Sequence, residues 1–390
     1  MKWRTLVPVL TTVAFCLGFG VAAPEPSLRE AAQSSGILIG TAVRPAQLSE
    51  AAYASTLARE FNMLEPEDAL KWETVHPQPQ TFDFSQADEI IDFAARHGMK
   101  VRGHTLVWHR QNPKWLTEGK FTSAELAEIL ERHIKTVVTH YQGKIFAWDV
   151  VNEAFDELHP GKLRSTIWRD QPGISVAGND VATSREPRAA SNHARSQLEA
   201  RSSQPDSSKQ SYFYIEQCFR WAHEADPQAL LFYNEAEAEA VNPKSDAIYA
   251  MVRDFRQRGV PIDGVGLQMH ISNLRADIAS ITANIKRFTA LGVQVHITEM
   301  DVALPVDANG NVSPDDLQRQ ADIYRQIAAA CLAHHLSHSG CTAIQTWGFT
   351  DKYSWIGSHS KYTQGAALPF DRNYRAKPAY LALRNMLAAQ

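Results

Sequence analysis

Apolar positions along the chain follow two alternating periods. Short continuous apolar runs, of the kind that form strands buried on both faces, are separated by longer stretches where apolar residues return every three or four positions. The clearest helical stretch opens with Thr122 and Glu125, which can form a capping box. It then places Leu126, Ile129, Leu130, Ile134, Val137, Val138 and Tyr141 on one face, and Gly143 stops it. The strand Ile145 to Val151 follows. The same unit recurs along the chain. Ser85 is expected to cap a helix that ends near Gly98, before a strand at Lys100 to Gly103. A helix at Tyr212 to Ala225 stops at Asp226-Pro227, before Ala229 to Tyr233. A helix at Ser245 to Arg258 ends at Gly259, before Gly264 to Met269. Ile278, Ile281, Ile285 and Phe288 mark a helix ended by Gly292, before Val293 to Ile297. A helix near Pro314 to Ala333 precedes Thr342 to Thr346. Runs at Ile37 to Ala42 and Glu60 to Met63 supply the first two strands. Eight strands alternating with helices predict a single-domain α/β fold, a closed (β/α)8 TIM barrel, in preference to an open doubly wound sheet.

One stretch breaks this pattern. Residues 177 to 209 contain no Phe, Tyr or Trp, and Val181 and Leu198 are their only large aliphatics. Such a composition cannot bury enough surface to fold alone, so a disordered insertion is expected there.

The totals change the picture in four ways. A length of 390 residues suits one barrel with insertions, and a hydrophobic share of 44% suits one large core. A formal charge of −4, with no basic stripe, gives no reason to expect nucleic acid as a partner. Lys2 and Arg4 precede an apolar run from Leu6 to Phe19, shorter than the roughly 20 residues of a membrane span, and the small residues Gly20-Val21-Ala22-Ala23 follow. We therefore expect a signal peptide at 1–23, a mature barrel over 24–390 that is secreted to the cell exterior or periplasm, no membrane association after cleavage, and a monomer. Three cysteines remain after that cleavage, so at least one thiol is free. Cys331 and Cys341 flank a helix-to-strand turn and make a plausible disulfide, while Cys218 falls in a helical pattern and reads as a buried thiol.

In a (β/α)8 barrel the active site lies at the carboxyl ends of the strands, so polar residues at strand exits are the candidates for chemistry. Asn152-Glu153 ends the fourth strand and Thr298-Glu299 the seventh. His104 ends the third, Gln268 and His270 the sixth, Trp347 the eighth and Asn62 the second. Two carboxyl groups flanking one sugar carbon are what glycosidic bond cleavage requires: one protonates the departing oxygen and one, ionised, attacks carbon. Strands four and seven face each other across a barrel mouth, which brings Glu153 and Glu299 together as a candidate pair. The division of labour between them is open at this point. A carboxylate beside a donor such as His270 would stay charged, and one in a drier pocket would keep its proton.

The order and spacing of six segments resemble glycoside hydrolase family 10. They are Asn62 with Glu67, Lys71 and Trp72; Gly103-His104-Thr105-Leu106-Val107-Trp108-His109; Trp148-Asp149-Val150-Val151-Asn152-Glu153; Gly266-Leu267-Gln268-Met269-His270; Ile297-Thr298-Glu299-Met300-Asp301; and Thr346-Trp347-Gly348-Phe349-Thr350-Asp351 with Ser354-Trp355. The resemblance runs from about Ile37 to Leu387, the insertion aside. It implies a retaining endo-1,4-β-xylanase acting on xylan and xylo-oligosaccharides without a cofactor or metal. By the same resemblance, Glu153 is the acid/base and Glu299 the nucleophile. Asn152 donates to the sugar 2-hydroxyl, and His270 holds Glu299 ionised with support from Gln268. Glu67, Lys71, His104 and Gln111 form the hydrogen-bonding wall of the glycone side, with Asn62 counted among the substrate-binding residues. Trp347 and Trp355 are stacking platforms there, and Trp108 shapes the same wall. Cys331 and Cys341 match a disulfide of many members.

This chain departs from the family at Asp68, where Asn is common, and at Glu235-Ala236, where Asp-Tyr is common; Ala236 removes an aromatic from the aglycone side. Rival readings are a retaining β-1,4-glucanase or mannanase on the same barrel, which His104, Lys71 and Trp347 argue against, and a non-catalytic polysaccharide-binding barrel, which would be expected to lack one of the two glutamates. A metal hydrolase is disfavoured despite fifteen histidines, because no His-x-His stands at an early strand end.

Overall fold

The computed structural model describes residues 25–176, 212–336 and 339–389. The expected signal peptide at 1–23 and the expected insertion at 177–209 lie outside the described residues. Eight parallel strands build the scaffold: β1 (Leu38–Val43), β2 (Met63–Pro66), β3 (Lys100–Gly103), β4 (Ala147–Asn152), β5 (Leu230–Glu235), β6 (Gly264–Leu267), β7 (Gln294–Val302) and β8 (Ser339–Thr346). Each pairs with the next, and β8 pairs both with β7 (Cys341 with Val295) and with β1 (Ala343 with Leu38). The sheet closes on itself, as the alternation of periods predicts.

Helix starts follow local chemistry. Thr122 and Glu125 close their capping box, with Thr122 N–H donating to Glu125 Oε2 at 2.8 Å, and Ser123–His140 buries Leu126, Leu130, Ile134, Val137 and Val138. Ser85 does not cap its helix. It is the first helical residue, and its N–H and Oγ donate to Asp83 Oδ1 at 3.0 and 2.6 Å. Asn242 and Pro243 start the helix Pro243–Arg258 two residues earlier than expected, because Asn242 Oδ1 accepts from Ser245 N–H.

The second strand begins later than the apolar run at Glu60 to Met63 suggests. Glu60 ends the helix Ala51–Glu60, where its carboxylate accepts from Leu28 N–H and Tyr380 Oη at 3.0 and 2.9 Å. Asn62 therefore precedes β2 instead of ending it. Its Oδ1 accepts from Ile39 N–H at 2.8 Å at the amino end of the barrel, opposite the mouth, so it is a structural residue and not a substrate contact. At the other extreme, β7 runs to Val302 because a short strand, His270–Ile271, pairs with Asp301–Val302. That extension holds Glu299 and Asp301 on regular strand, two residues apart and so on one face.

The barrel interior is more polar than the aliphatic layers usual in this architecture. Arg102 of β3 is fully buried; its Nε donates to Asp149 of β4 at 3.1 Å, its Nη2 also pairs with Asp149, and its Nη1 meets His296 of β7 at 2.6 Å. Strands β3 and β7 are not neighbours in the sheet, so this contact crosses the barrel. Glu65 of β2 pairs with Gln345 of β8 and lies 3.5 Å from Arg102. The apolar core lies outside this interior, between sheet and helices. There Gly103 makes room for Trp148, since a Cβ on it would meet the indole at 2.3 Å. Cys331, at the end of the helix Pro314–Leu332, and Cys341 in β8 face each other with Cα atoms 5.1 Å apart, and Cys218 is buried. Among the described residues no helix is long and apolar enough to cross a membrane.

Candidate active site

Glu299 is nearly sealed, its side chain only 6% exposed. One oxygen accepts from Asn234 Nδ2 at 2.8 Å, and the other lies 3.1 Å from His270 Nε2. His270 Nδ1 meets Asp301 at 3.0 Å, and Trp355 Nε1 donates to the same Asp301 oxygen at 2.8 Å. Burial alone would suppress charge on His270, but Asp301 and Glu299 outweigh it and hold the imidazole well above its ordinary range. His270 thus bridges two carboxylates, an arrangement that favours its charged form.

Glu153 leaves β4 with φ 53°, in the left-handed region. Its oxygens accept from Gln268 Nε2 at 3.0 Å and Trp108 Nε1 at 2.8 Å, and His109 Nδ1 stands 3.9 Å away. Burial is the strongest single influence and pushes its carboxyl up, yet the donors Gln268 and Trp108, helped by His109, bring it below the usual range. The dry-pocket expectation for a proton-holding carboxyl is therefore not met. Glu153 is the more exposed of the pair, at 12% against 6%.

The two glutamates are joined by a line of amides. The Asn152 amide lies between Asn234 Nδ2, at 3.0 Å, and Gln268 Nε2, at 3.3 Å; those two groups reach Glu299 and Glu153 respectively. Thr298 Oγ1 donates to Asn234 Oδ1 at 2.8 Å, which fixes the face that Asn234 turns to Glu299. Gly266 keeps this space open, since a Cβ there would meet Asn234 Oδ1 at 2.2 Å.

The residues expected to form the glycone wall gather beside this pair. Glu67 accepts from Arg44 Nη2 at 2.6 Å; burial raises its carboxyl while Arg44 opposes the rise. Lys71 Nζ lies 3.3 Å from Asp68 and stands over the Trp108 and Trp347 rings, 4.8 and 5.6 Å from their centroids. Gln111 Nε2 donates to Asp68 at 3.3 Å and to Glu73 at 3.1 Å. Asp68 also faces Arg44 Nε at 3.1 Å. His104 packs edge-on to Trp347 with centroids 5.4 Å apart, and its Nδ1 reaches Asp149 at 3.0 Å. Burial pushes Glu65 behind it up to about 8, against the pull of His104.

Every expected site residue except Asn62 converges here, though two do so in unexpected ways. Trp108 grips Glu153 directly, and Trp355, partly buried, holds Asp301 and lies edge-on to His270 at 5.2 Å. Sequence reasoning places Asp301 and Asn234 in motifs but gives them no role, and it misses Arg44. Period two along β7 is the signal that could find Asp301.

Among the described residues two groups have metal-ligand geometry, Glu65 with His104 and Glu299, and His109 with Glu153 and Glu157, their ligand atoms within 4.8 Å of one another. In both, protein donors already hold the carboxylates: Gln345 and Arg102 at Glu65, Asn234 and His270 at Glu299, Gln268 and Trp108 at Glu153.

This geometry can be set beside known proteins. The model of Glycosyl hydrolase family 10 matches residues 27–192 and 192–386. Endo-1,4-beta-xylanase B of Thermotoga neapolitana is 40% identical over 86% of this chain and 83% of its own, and the Beta-1,4-xylanase of Dictyoglomus thermophilum is 37% identical over 97% of each. The crystal structure of xylanase 10B from Thermotoga petrophila RKU-1 in complex with xylobiose superposes with a TM-score of 0.79 at 38% identity, covering 94% of this chain and 98% of that one. A closed barrel, paired glutamates at its mouth and matches along nearly the whole chain lead to one assignment: the chain belongs to glycosyl hydrolase family 10.

Proposed function

We propose that this chain cleaves β-1,4-xylosidic bonds within xylan by a retaining double displacement, with Glu299 as nucleophile and Glu153 as acid/base. One observation carries the role assignment: of two glutamates tied to one line of amides, the groups that donate to Glu153, the Gln268 amide and the Trp108 indole, are neutral, while Glu299 has the His270 imidazole 3.1 Å from one oxygen. An ionised nucleophile needs such a partner. A group that must gain and lose a proton in each cycle is better served by neutral donors.

In the first step the Glu299 carboxylate attacks the anomeric carbon while Glu153 gives its proton to the departing oxygen. In the second, Glu153 takes a proton from water, which attacks the same carbon and frees Glu299. In the open site the Gln268 and Trp108 bonds keep Glu153 low. A xylan chain in the cleft excludes water and strengthens the burial that already pushes Glu153 up, which favours the protonated form. The Asn152 amide, between the two glutamates, meets the sugar 2-hydroxyl. The wall of Glu67, Lys71, His104 and Gln111, with Trp347 and Trp355, binds the glycone residues.

The same reading includes a secreted monomer, freed of residues 1–23, with Cys331 and Cys341 bonded as a disulfide in an oxidising compartment. Proton NMR of xylan hydrolysis tests the mechanism: the first new reducing end should be the β-anomer, and an initial α-anomer overturns it. Sugar release should be far faster from xylan than from β-1,4-glucan or mannan, and parity between them removes the substrate assignment.

A further inference from the structure

The short segment that carries Glu153 is held from both sides by groups that take no part in the reaction steps. Left-handed backbone is strained for a residue with a side chain and persists where its surroundings over-determine it. Three successive N–H groups are captured by three successive residues at the end of β5. Glu153 N–H donates to Asn234 O at 3.0 Å, Ala154 N–H to Tyr233 Oη at 3.0 Å, and Phe155 N–H to Glu235 Oε2 at 3.2 Å. The three carbonyls of the same residues all go to Arg164. Its Nε donates to Glu153 O at 3.4 Å, its backbone N–H to Ala154 O at 2.8 Å, and its Nη2 to Phe155 O at 3.2 Å.

Behind this segment lies a buried polar group with no part in the steps above. Glu235 is fully buried, accepts from Tyr233 Oη at 2.5 Å, and pairs with Lys244 Nζ at 3.2 Å; Lys244 is itself only 2% exposed and also donates to Ala236 O at 3.0 Å. A buried ion pair is weak evidence of added stability, since apolar replacements of similar volume often match it. Its placement under the acid/base is better explained by what it holds.

We propose that Glu235, backed by Tyr233 and Lys244, and Arg164 on the opposite side are positioning residues that aim the Glu153 carboxyl at the glycosidic oxygen. This rests on reading Glu153 as the acid/base. The pair acts through backbone: Glu235 fixes the N–H side, Arg164 the carbonyl side, and the side chain of Glu153 then meets Gln268 and Trp108 at fixed height above the cleft.

The test uses the full chain and aryl β-xylobiosides with leaving groups from poor to highly activated. Glu235→Leu with Lys244→Met removes the acceptor while keeping the site neutral, and Glu235→Gln with Lys244→Met restores it. For the Leu pair, kcat/KM on poor leaving groups should fall about 10- to 100-fold, as misplacement of a reacting group by about 1 Å does. Dinitrophenyl substrates, whose departure needs no proton, should keep their kcat/KM within about threefold, with azide restoring a slowed kcat. The Gln pair should recover most of the loss. Arg164→Met should give the same pattern from the other side, and it decides the matter if the Leu pair does not fold. Equal losses on both substrate classes, or no loss on either, overturn the proposal. Glu153→Ala measured alongside separates the two claims. If it lacks the steep leaving-group dependence, the acid/base reading fails; if it shows it and the clamp variants do not, only the clamp fails.

Discussion

The surroundings of Glu153 and Glu299, the proposed catalytic pair, are built on opposite principles. Around Glu299 the neutral Asn234 amide holds one oxygen, and the other faces charged groups nearly closed to water: His270 against it, Asp301 behind, Trp355 sealing Asp301. Around Glu153 the direct partners are neutral donors, the Gln268 amide and the Trp108 indole, on a segment of strained backbone. The first arrangement favours one protonation state and defends it. The second stabilises the anion through bonds that a substrate can displace, so the balance can tip within a cycle. The contrast teaches that burial alone does not identify a general acid: the drier glutamate here is the one given a counter-charge.

The largest effect should come from breaking the charged half. Glu299→Ala should lower kcat on xylan by about 10⁶-fold, as loss of a nucleophile does, while xylo-oligosaccharide binding measured by calorimetry persists. Wild-type-like turnover would end the assignment. Breaking the neutral half should cost less and selectively. Glu153→Ala should lose about 10²- to 10⁴-fold on xylan, the usual worth of general acid–base help, and far less of kcat/KM on activated aryl glycosides. Equal losses on both would make the two glutamates alike and erase the contrast.

His270→Asn converts the charged half toward the neutral one. Loss of a charge-assisted bond at about 1.5–3 kcal/mol predicts a fall in kcat of about 10- to 100-fold. The pH dependence follows from the raised pKa of His270. Its folded value lies above the unfolded value of about 6.5, so its contribution to stability is full below that pH and is lost as pH rises through the folded value. The gap in melting temperature between wild type and His270→Asn should therefore be widest near pH 6 and narrow at higher pH. A gap that widens with pH would mean that His270 is neutral in the fold.

Much of this contrast is legible in the amino-acid sequence. Glu153, Glu299, Gln268 and His270 stand out because polar groups at the ends of apolar strands are costly to bury without a purpose. The closed barrel follows from eight repeats of one local pattern. What stays hidden is non-local. Arg102, Asp149 and His296 meet across the barrel from strands distant in sequence, and nothing in any one strand predicts the partner. Asn62 misleads because Phe61 and Met63, both buried, make the end of one helix and the start of β2 look like a single apolar run. Trp108 belongs to the wall by spacing, but the direction of an indole leaving a loop depends on backbone angles that residue spacing does not encode.

The smallest effect tests whether charge added outside the pair matters. Asp68 is about one-third exposed and already faces Arg44, Lys71 and Gln111 at 3.1 to 3.3 Å, so its charge is compensated locally. Pairs this open are worth about 0–1 kcal/mol, which sets a ceiling near fivefold. Asp68→Asn should change KM for xylotriose by no more than about fivefold and leave kcat alone. Burial is the main force raising the Glu67 carboxyl, with Asp68 adding to it against Arg44, so removing that negative charge should also move Glu67 downward, toward the ordinary range. A shift of kcat by tenfold, seen in steady-state rates on xylotriose, would mean that the wall's charge reaches the reacting carbon. The separation of the site into one guarded and one exchangeable carboxyl would then need a third participant.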